Sequence, residues 1–177
     1  MKAGSPLVVI SARNGLIAGI LGSVMLAGLF YISAIHPLLI NPFIDFRVVL
    51  FALFIFFTLK EYKSRISDGL LYFWQGMIAS YTFLLVYGVI MFFFILAFSA
   101  VEKEFTVSFT EQSVSLLRQN EEFVGKVGKE EFERNFANTS PTNGLRLSIT
   151  YLLVSLAIGF PISAVMSIVL RKQLPNP

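Results

Sequence analysis

Gly69–Val101 reads GLLYFWQGMIASYTFLLVYGVIMFFFILAFSAV and contains no Asp, Glu, Lys, Arg or His. A helix crossing a bilayer needs about 20 mostly apolar residues, and this run exceeds that. Basic residues lead into it through Lys60–Asp68 (KEYKSRISD), and an acidic segment follows it from Glu102. Water offers no place for such a run, so the stretch reads as a membrane-spanning helix. At 1.5 Å per residue, about 33 residues reach about 50 Å, well past a hydrocarbon core of about 30 Å. The sequence therefore predicts that its Phe-rich end projects beyond the membrane.

Three further apolar runs lie outward from it, at Asn14–Ile35, Pro42–Leu59 and Leu145–Leu170. The chain is 55% hydrophobic and 14% charged, whereas soluble domains carry roughly 25% charged residues. The expected fold is all-α: a polytopic four-helix bundle with spans near 14–35, 42–59, 69–101 and 145–170. A short helical extracytoplasmic cap, 102–144, lies between the third and fourth spans. The first run is too long for the core of a cleaved signal sequence.

Rows of small residues at i, i+4 spacing mark faces that let two helix backbones approach closely. The first span carries Gly15, Gly19 and Ser23, the third carries Gly76 and Ser80, and the fourth carries Ser155, Gly159 and Ser163. These rows fit packing within the chain or, for the first span, against a second copy. Pro161 should kink the fourth span. Asp45 and Arg47 flank the start of the second span. Two positions apart on a helix they do not share a face, so they read as separate interfacial charges.

In the polar segment, Thr110 reads as the cap of a helix through about Asn120. Lys129–Ala137 reads as a second short helix. Phe98 and Val101 are expected to meet Leu116, Leu117, Phe132 and Phe136.

Lys and Arg favour the cytoplasmic side of a membrane. Placing both termini there puts Lys2, Arg13, Lys60, Lys63, Arg65, Arg171 and Lys172 inside, with the acidic segment outside. Tyr62, Tyr72 and Trp74 then cluster at the inner interface.

Chemistry-bearing motifs are sparse. The chain has no Cys and one His, His36, which excludes thiolate and multi-histidine metal sites. No phosphate-binding loop, nucleophile elbow or zinc-protease motif occurs, and no cofactor is expected. Lys and Arg are too dispersed for nucleic acid. Gln75 and Tyr87, inside the third span, are the candidates for a small polar pocket. Their alternative reading is hydrogen bonding between helices.

NGLIAGI from Asn14, LKEYKSRISDGLLYFWQGMIAS from Leu59 and ISAVMSIVLRK ending at Lys172 together resemble the small bacterial membrane proteins of domain-of-unknown-function family 4199. Gly69, Phe73 and Gly76 keep part of the family's pattern after the second connection, with Gln75 near its basic position. The resemblance implies a bacterial inner membrane and carries no catalytic or ligand role. The functional expectation is a non-enzymatic structural or accessory subunit, held in the lipid bilayer and packed against itself or a larger membrane complex. The alternative is a small oligomeric carrier or channel for a neutral or lipid-like solute, lined by Gln75, Ser80, Tyr87 and the serines of the last span.

Overall fold

The computed structural model describes residues 5–41, 45–66, 69–119, 128 and 142–171. These residues form five α-helices and one 3-10 turn, with no strand. The helices are α1 (Pro6–Ile32), α2 (Phe46–Arg65), α3 (Phe73–Val101), α4 (Lys103–Gln119) and α5 (Gly144–Leu170); the turn is Pro37–Leu39. The helix expected at Lys129–Ala137 lies outside the described residues, as do Phe132 and Phe136.

Helices α1, α3 and α5 are long and apolar enough to cross a membrane. Helix α2 falls short by composition. Arg47 stands at its start and Lys60, Glu61, Lys63 and Arg65 crowd its end, so only Val48–Leu59 is free of charge. That apolar stretch rises about 18 Å. The first helix begins at Pro6 rather than near Asn14, because Pro at the first helical position suits its fixed φ.

Helix α3 is the centre of the packing. It lies against α1 on one side and α5 on the other, while α2 bridges α1 and α5 across it. The contacts give each direction. Gly15 abuts Phe83 and Val86, and Gly19 abuts Ile90, so α1 and α3 run parallel. Gly76 abuts Ser167, and Gly159 abuts Leu84, so α3 and α5 run antiparallel. Asn14 bonds Thr58 and Arg13 pairs with Glu61, so α1 and α2 run antiparallel. Lys63 Nζ donates to the Leu170 carbonyl at 2.8 Å, binding the C-terminal ends of α2 and α5 together. A cation on the last carbonyls of a helix also complements its dipole.

The small-residue rows are thus consumed inside the chain. Gly15, Gly19 and Ser23 face α3; Gly76 and Ser80 face α5; and Ser155, Gly159 and Ser163 lie on the buried edge of α5. The serines need no outside partner. Ser80 donates to Gly76 O and Ser163 to Gly159 O, the i−4 bond that satisfies a hydroxyl within its own helix.

The surplus length of α3 is resolved by a bend rather than by straight projection. The helix ends at Val101, Glu102 leaves helical geometry, and α4 starts at once at Lys103. Thr110 is therefore mid-helix, not a cap. Its hydroxyl donates to Thr106 O and lies 3.2 Å from Thr142 Oγ1, and it accepts the Thr142 N–H at 2.9 Å. These bonds tie α4 to the strand of chain entering α5. Val101 and Leu116 stay exposed; Phe98 packs on Phe30 and Phe105 instead. An amphipathic helix lying across the bundle end satisfies its apolar side with the nearest rings, those of α1 and the following turn.

Candidate functional site

The densest polar cluster among the described residues sits where α2 begins. Asp45 is the N-cap of α2 and has extended backbone, not helical. Its side chain therefore folds back over the first turn. Asp45 Oδ1 accepts the Arg47 N–H at 2.9 Å, and Oδ2 accepts from Arg47 Nε at 2.7 Å and from Arg47 Nη2. The expectation of two separate interfacial charges is corrected by this geometry. The i, i+2 rule holds within a helix, and a capping residue lies outside one.

Both side chains are buried, with Asp45 2% and Arg47 3% exposed. Arg47 Nη1 reaches Ser155 Oγ at 3.3 Å, and its guanidinium lies over the Tyr151 ring at 4.6 Å. Tyr151 and Tyr87 share a hydrogen bond of 2.7 Å between their hydroxyls. Phe51 packs edge-on against Tyr87. Residues from α2, α3 and α5 thus converge on one charge pair. A cleft of ≈ 60 Å³ adjoins it, lined by Leu38, Arg47, Phe109, Leu147, Thr150, Tyr151 and Val154. That is room for about four waters.

The arrangement locks α2, α3 and α5 together. Asp45 spends its lone pairs on a cap and a guanidinium. Arg47 is charge-compensated. Deleting either tyrosine hydroxyl should leave the other buried without its partner. Tyr87→Phe and Tyr151→Phe are each expected to cost about 1 kcal/mol. The double variant should cost less than the two together, with a coupling of about 0.6 kcal/mol, the usual size between membrane helices. Unfolding titrations of the three variants in detergent measure this; strict additivity would mean the bond contributes nothing.

Gln75 and Tyr87 are not brought together. They lie on one helix twelve positions apart, about 18 Å. Gln75 Oε1 accepts the Tyr72 N–H at 3.1 Å, closing the N-terminus of α3 as the third helical residue reaches back. Gln75 is thus a helix-start residue, and the two-residue pocket is not formed. Sequence reasoning missed Tyr151 and Ser155 as partners of Arg47. The i, i+4 row on α5 was visible, but nothing local points across to α2.

Above the cluster, His36 pins α4 to the turn at Pro37–Leu39. The ring is buried among Phe30, Phe105 and Phe109. Its Nε2–H donates to Phe105 O at 3.1 Å, Nδ1 accepts the Leu38 N–H at 3.2 Å, and the His36 N–H donates to Gln112 Oε1 at 2.7 Å. Protonating Nδ1 would set a donor against a donor. Burial pushes the imidazole down to about 4, partly opposed by the Phe105 carbonyl. The neutral ring belongs to the folded state and the unfolded chain protonates near 6.5, so this contact stabilises fully above 6.5 and weakens as pH falls from there toward 4. Hydrogen exchange of α4 amides is expected to quicken across that window, and His36→Phe should flatten the dependence.

The profile of the family described as protein of unknown function (DUF4199) matches residues 13–172, and the chain belongs to that family. No curated protein and no solved structure matches it.

Proposed function

We propose that this member of the family is a non-enzymatic integral membrane protein with four crossings, both termini on the cytoplasmic face of a bacterial inner membrane, serving as a structural or accessory subunit of a larger membrane assembly. The observation that carries this reading is the filled interior. Phe51, Phe83, Tyr87, Leu84, Met91 and Ile95 leave 0–1% of their surface exposed along the axis of the bundle. Ser80 and Ser163 bond their own backbone and Tyr87 bonds Tyr151, while among the described residues the buried Ser167 hydroxyl has no partner. This packing favours the structural reading over a carrier or channel. With the small-residue rows occupied internally, the surfaces available to a partner are the lipid-facing side chains and the outer side of α4.

The alternating helix directions support four crossings even though α2 is short. Arg47 sits level with Tyr151, about 10 Å below the start of α5. The connection through Pro37–Leu39 therefore dips below that level, and α4 covers it. Arg13, Lys60, Lys63, Arg65 and Arg171 gather at one end, which favours that end as cytoplasmic. Single thiols introduced at Ser64 and Glu111 into this cysteine-free chain should label from opposite sides, Ser64 from the cytoplasm.

Mild-detergent extraction followed by native mass spectrometry tests the accessory role. A defined membrane protein should co-purify, and its abundance should fall when this chain is deleted. A monomer without partners at native expression would overturn the reading.

A further inference from the structure

At the end opposite α4, an open cleft of ≈ 540 Å³ lies between α1 and α2, lined by Arg13, Asn14, Phe54, Phe57, Lys60, Glu61, Ser64 and Arg65. Its rim is basic. Arg13 and Arg65 both pair with the single carboxylate Glu61, with side chains 53% and 71% exposed. One carboxylate cannot neutralise two guanidinium groups, and Lys60, which lies over the Phe56 ring at 5.6 Å and makes no ion pair among the described residues, adds a third cation. The net balance is two positive charges facing outward. Between the charges lies Asn14, which is buried and spends its amide on Thr58 at 2.9 Å. The remaining wall is Phe54 and Phe57, and Phe57 is half exposed on the side where α2 meets its surroundings.

A second, independent feature sets the depth of this cleft. Tyr72, Phe73 and Trp74 are exposed at the start of α3. Gly76 abuts Ser167, and Lys63 reaches Leu170, so these rings lie at the same end as the basic rim. Exposed Trp and Tyr at the end of apolar helices mark the headgroup level of a bilayer. Cations at headgroup depth, opening sideways beside an apolar wall, match a ligand with an anionic head and acyl chains. We propose that the α1–α2 cleft binds the headgroup phosphate of an anionic phospholipid, with Arg13, Lys60 and Arg65 holding the phosphate and Phe57 flanking an acyl chain. The inference rests on the reading that α1 and α2 cross a membrane. Basic pockets between membrane helices are a general means of such recognition.

The test uses the full-length chain, delipidated in a neutral detergent and offered equal amounts of phosphatidylglycerol and phosphatidylcholine of the same acyl composition. Native mass spectrometry reads the lipid retained. The wild type should retain phosphatidylglycerol about tenfold over phosphatidylcholine, and R13Q/K60Q/R65Q about twofold or less. E61Q should raise the preference, because it frees both arginines; a purely structural ion pair would not do that. R146Q, at the far end, should leave it unchanged. If the triple variant fails to fold, K60Q alone keeps the question open to decision. Among the described residues Lys60 makes no ion pair, so its loss should lower the preference about threefold without disturbing Glu61. Equal retention of both lipids by the wild type would overturn the site while leaving membrane insertion intact. Displacement of phosphatidylglycerol by glycerol 3-phosphate at matching concentration would assign the site to a soluble anion and overturn the lipid.

Discussion

Asp45→Ala is expected to destabilise the protein by about 3–5 kcal/mol, the usual cost of leaving one member of a buried ion pair without its counterion. Three losses combine. Arg47 keeps its charge with only Ser155 and the Tyr151 face to compensate it. The Arg47 N–H loses its cap, worth about 1 kcal/mol. The Arg47 side chain stays buried, 3% exposed, where its charge is poorly solvated. Arg47→Met should cost less than Asp45→Ala, because Asp45 retains its capping role. The decisive comparison is the double variant D45A/R47M. Removing both charges together should recover much of the loss, since an apolar pair of similar volume often equals or exceeds a buried ion pair in stability. Denaturant titrations followed by the fluorescence of the one Trp, Trp74, provide the measurement. A double variant as unstable as the sum of the singles would mean that the two residues act independently, and the lock would fail as an explanation.

Gly15 carries the second large effect. A Cβ at this position would lie 2.7 Å from the Phe83 carbonyl oxygen and 3.0 Å from Val86 Cβ. The first of these neighbours is backbone and cannot rotate away, so α1 and α3 must separate. Gly15→Leu should cost about 3 kcal/mol or more, at the upper end of overpacking, and Gly15→Ala about 1–2 kcal/mol. Gly28 supplies the control on the same helix. Nothing lies within 4 Å of a Cβ there, so Gly28→Ala should be neutral or stabilising by up to about 1 kcal/mol through helix propensity. Equal sensitivity at the two glycines would mean that the α1–α3 approach is not what Gly15 provides. At Gly76 the nearest atoms to an added Cβ belong to the Ser167 side chain, Oγ at 2.6 Å and Cβ at 2.8 Å.

These two cases divide what a reader of the chain can foresee from what needs the fold. The row Gly15, Gly19, Ser23 was legible as a packing face, because i, i+4 spacing is a property of one helix alone. Its partner was not, since a second copy and α3 present equivalent grooves to such a row. Thr110 was misread as a cap because Thr is a common N-cap type, and the true start at Lys103 depends on where α3 must bend. A glutamine within an apolar run is anomalous in a straight helix, so in sequence Gln75 reads as a pocket or inter-helix hydrogen-bonding residue. The helix begins at Phe73, and that places Gln75 in its first turn, where capping explains it. The partnership of Asp45 and Arg47 was hidden for a related reason: a cap residue does not obey helical spacing.

The sequence by itself determined the class of the molecule. Transfer of an apolar run into hydrocarbon is a sum over its residues, so GLLYFWQGMIASYTFLLVYGVIMFFFILAFSAV declares its preferred solvent whatever its neighbours do. Tertiary structure alone decided which polar groups meet. Tyr87 finds Tyr151 across 64 positions, and Arg47 finds Ser155 across 108. Such pairings depend on the rotation and register of helices, which are set jointly by every contact along the interface and are written at no single position in the chain.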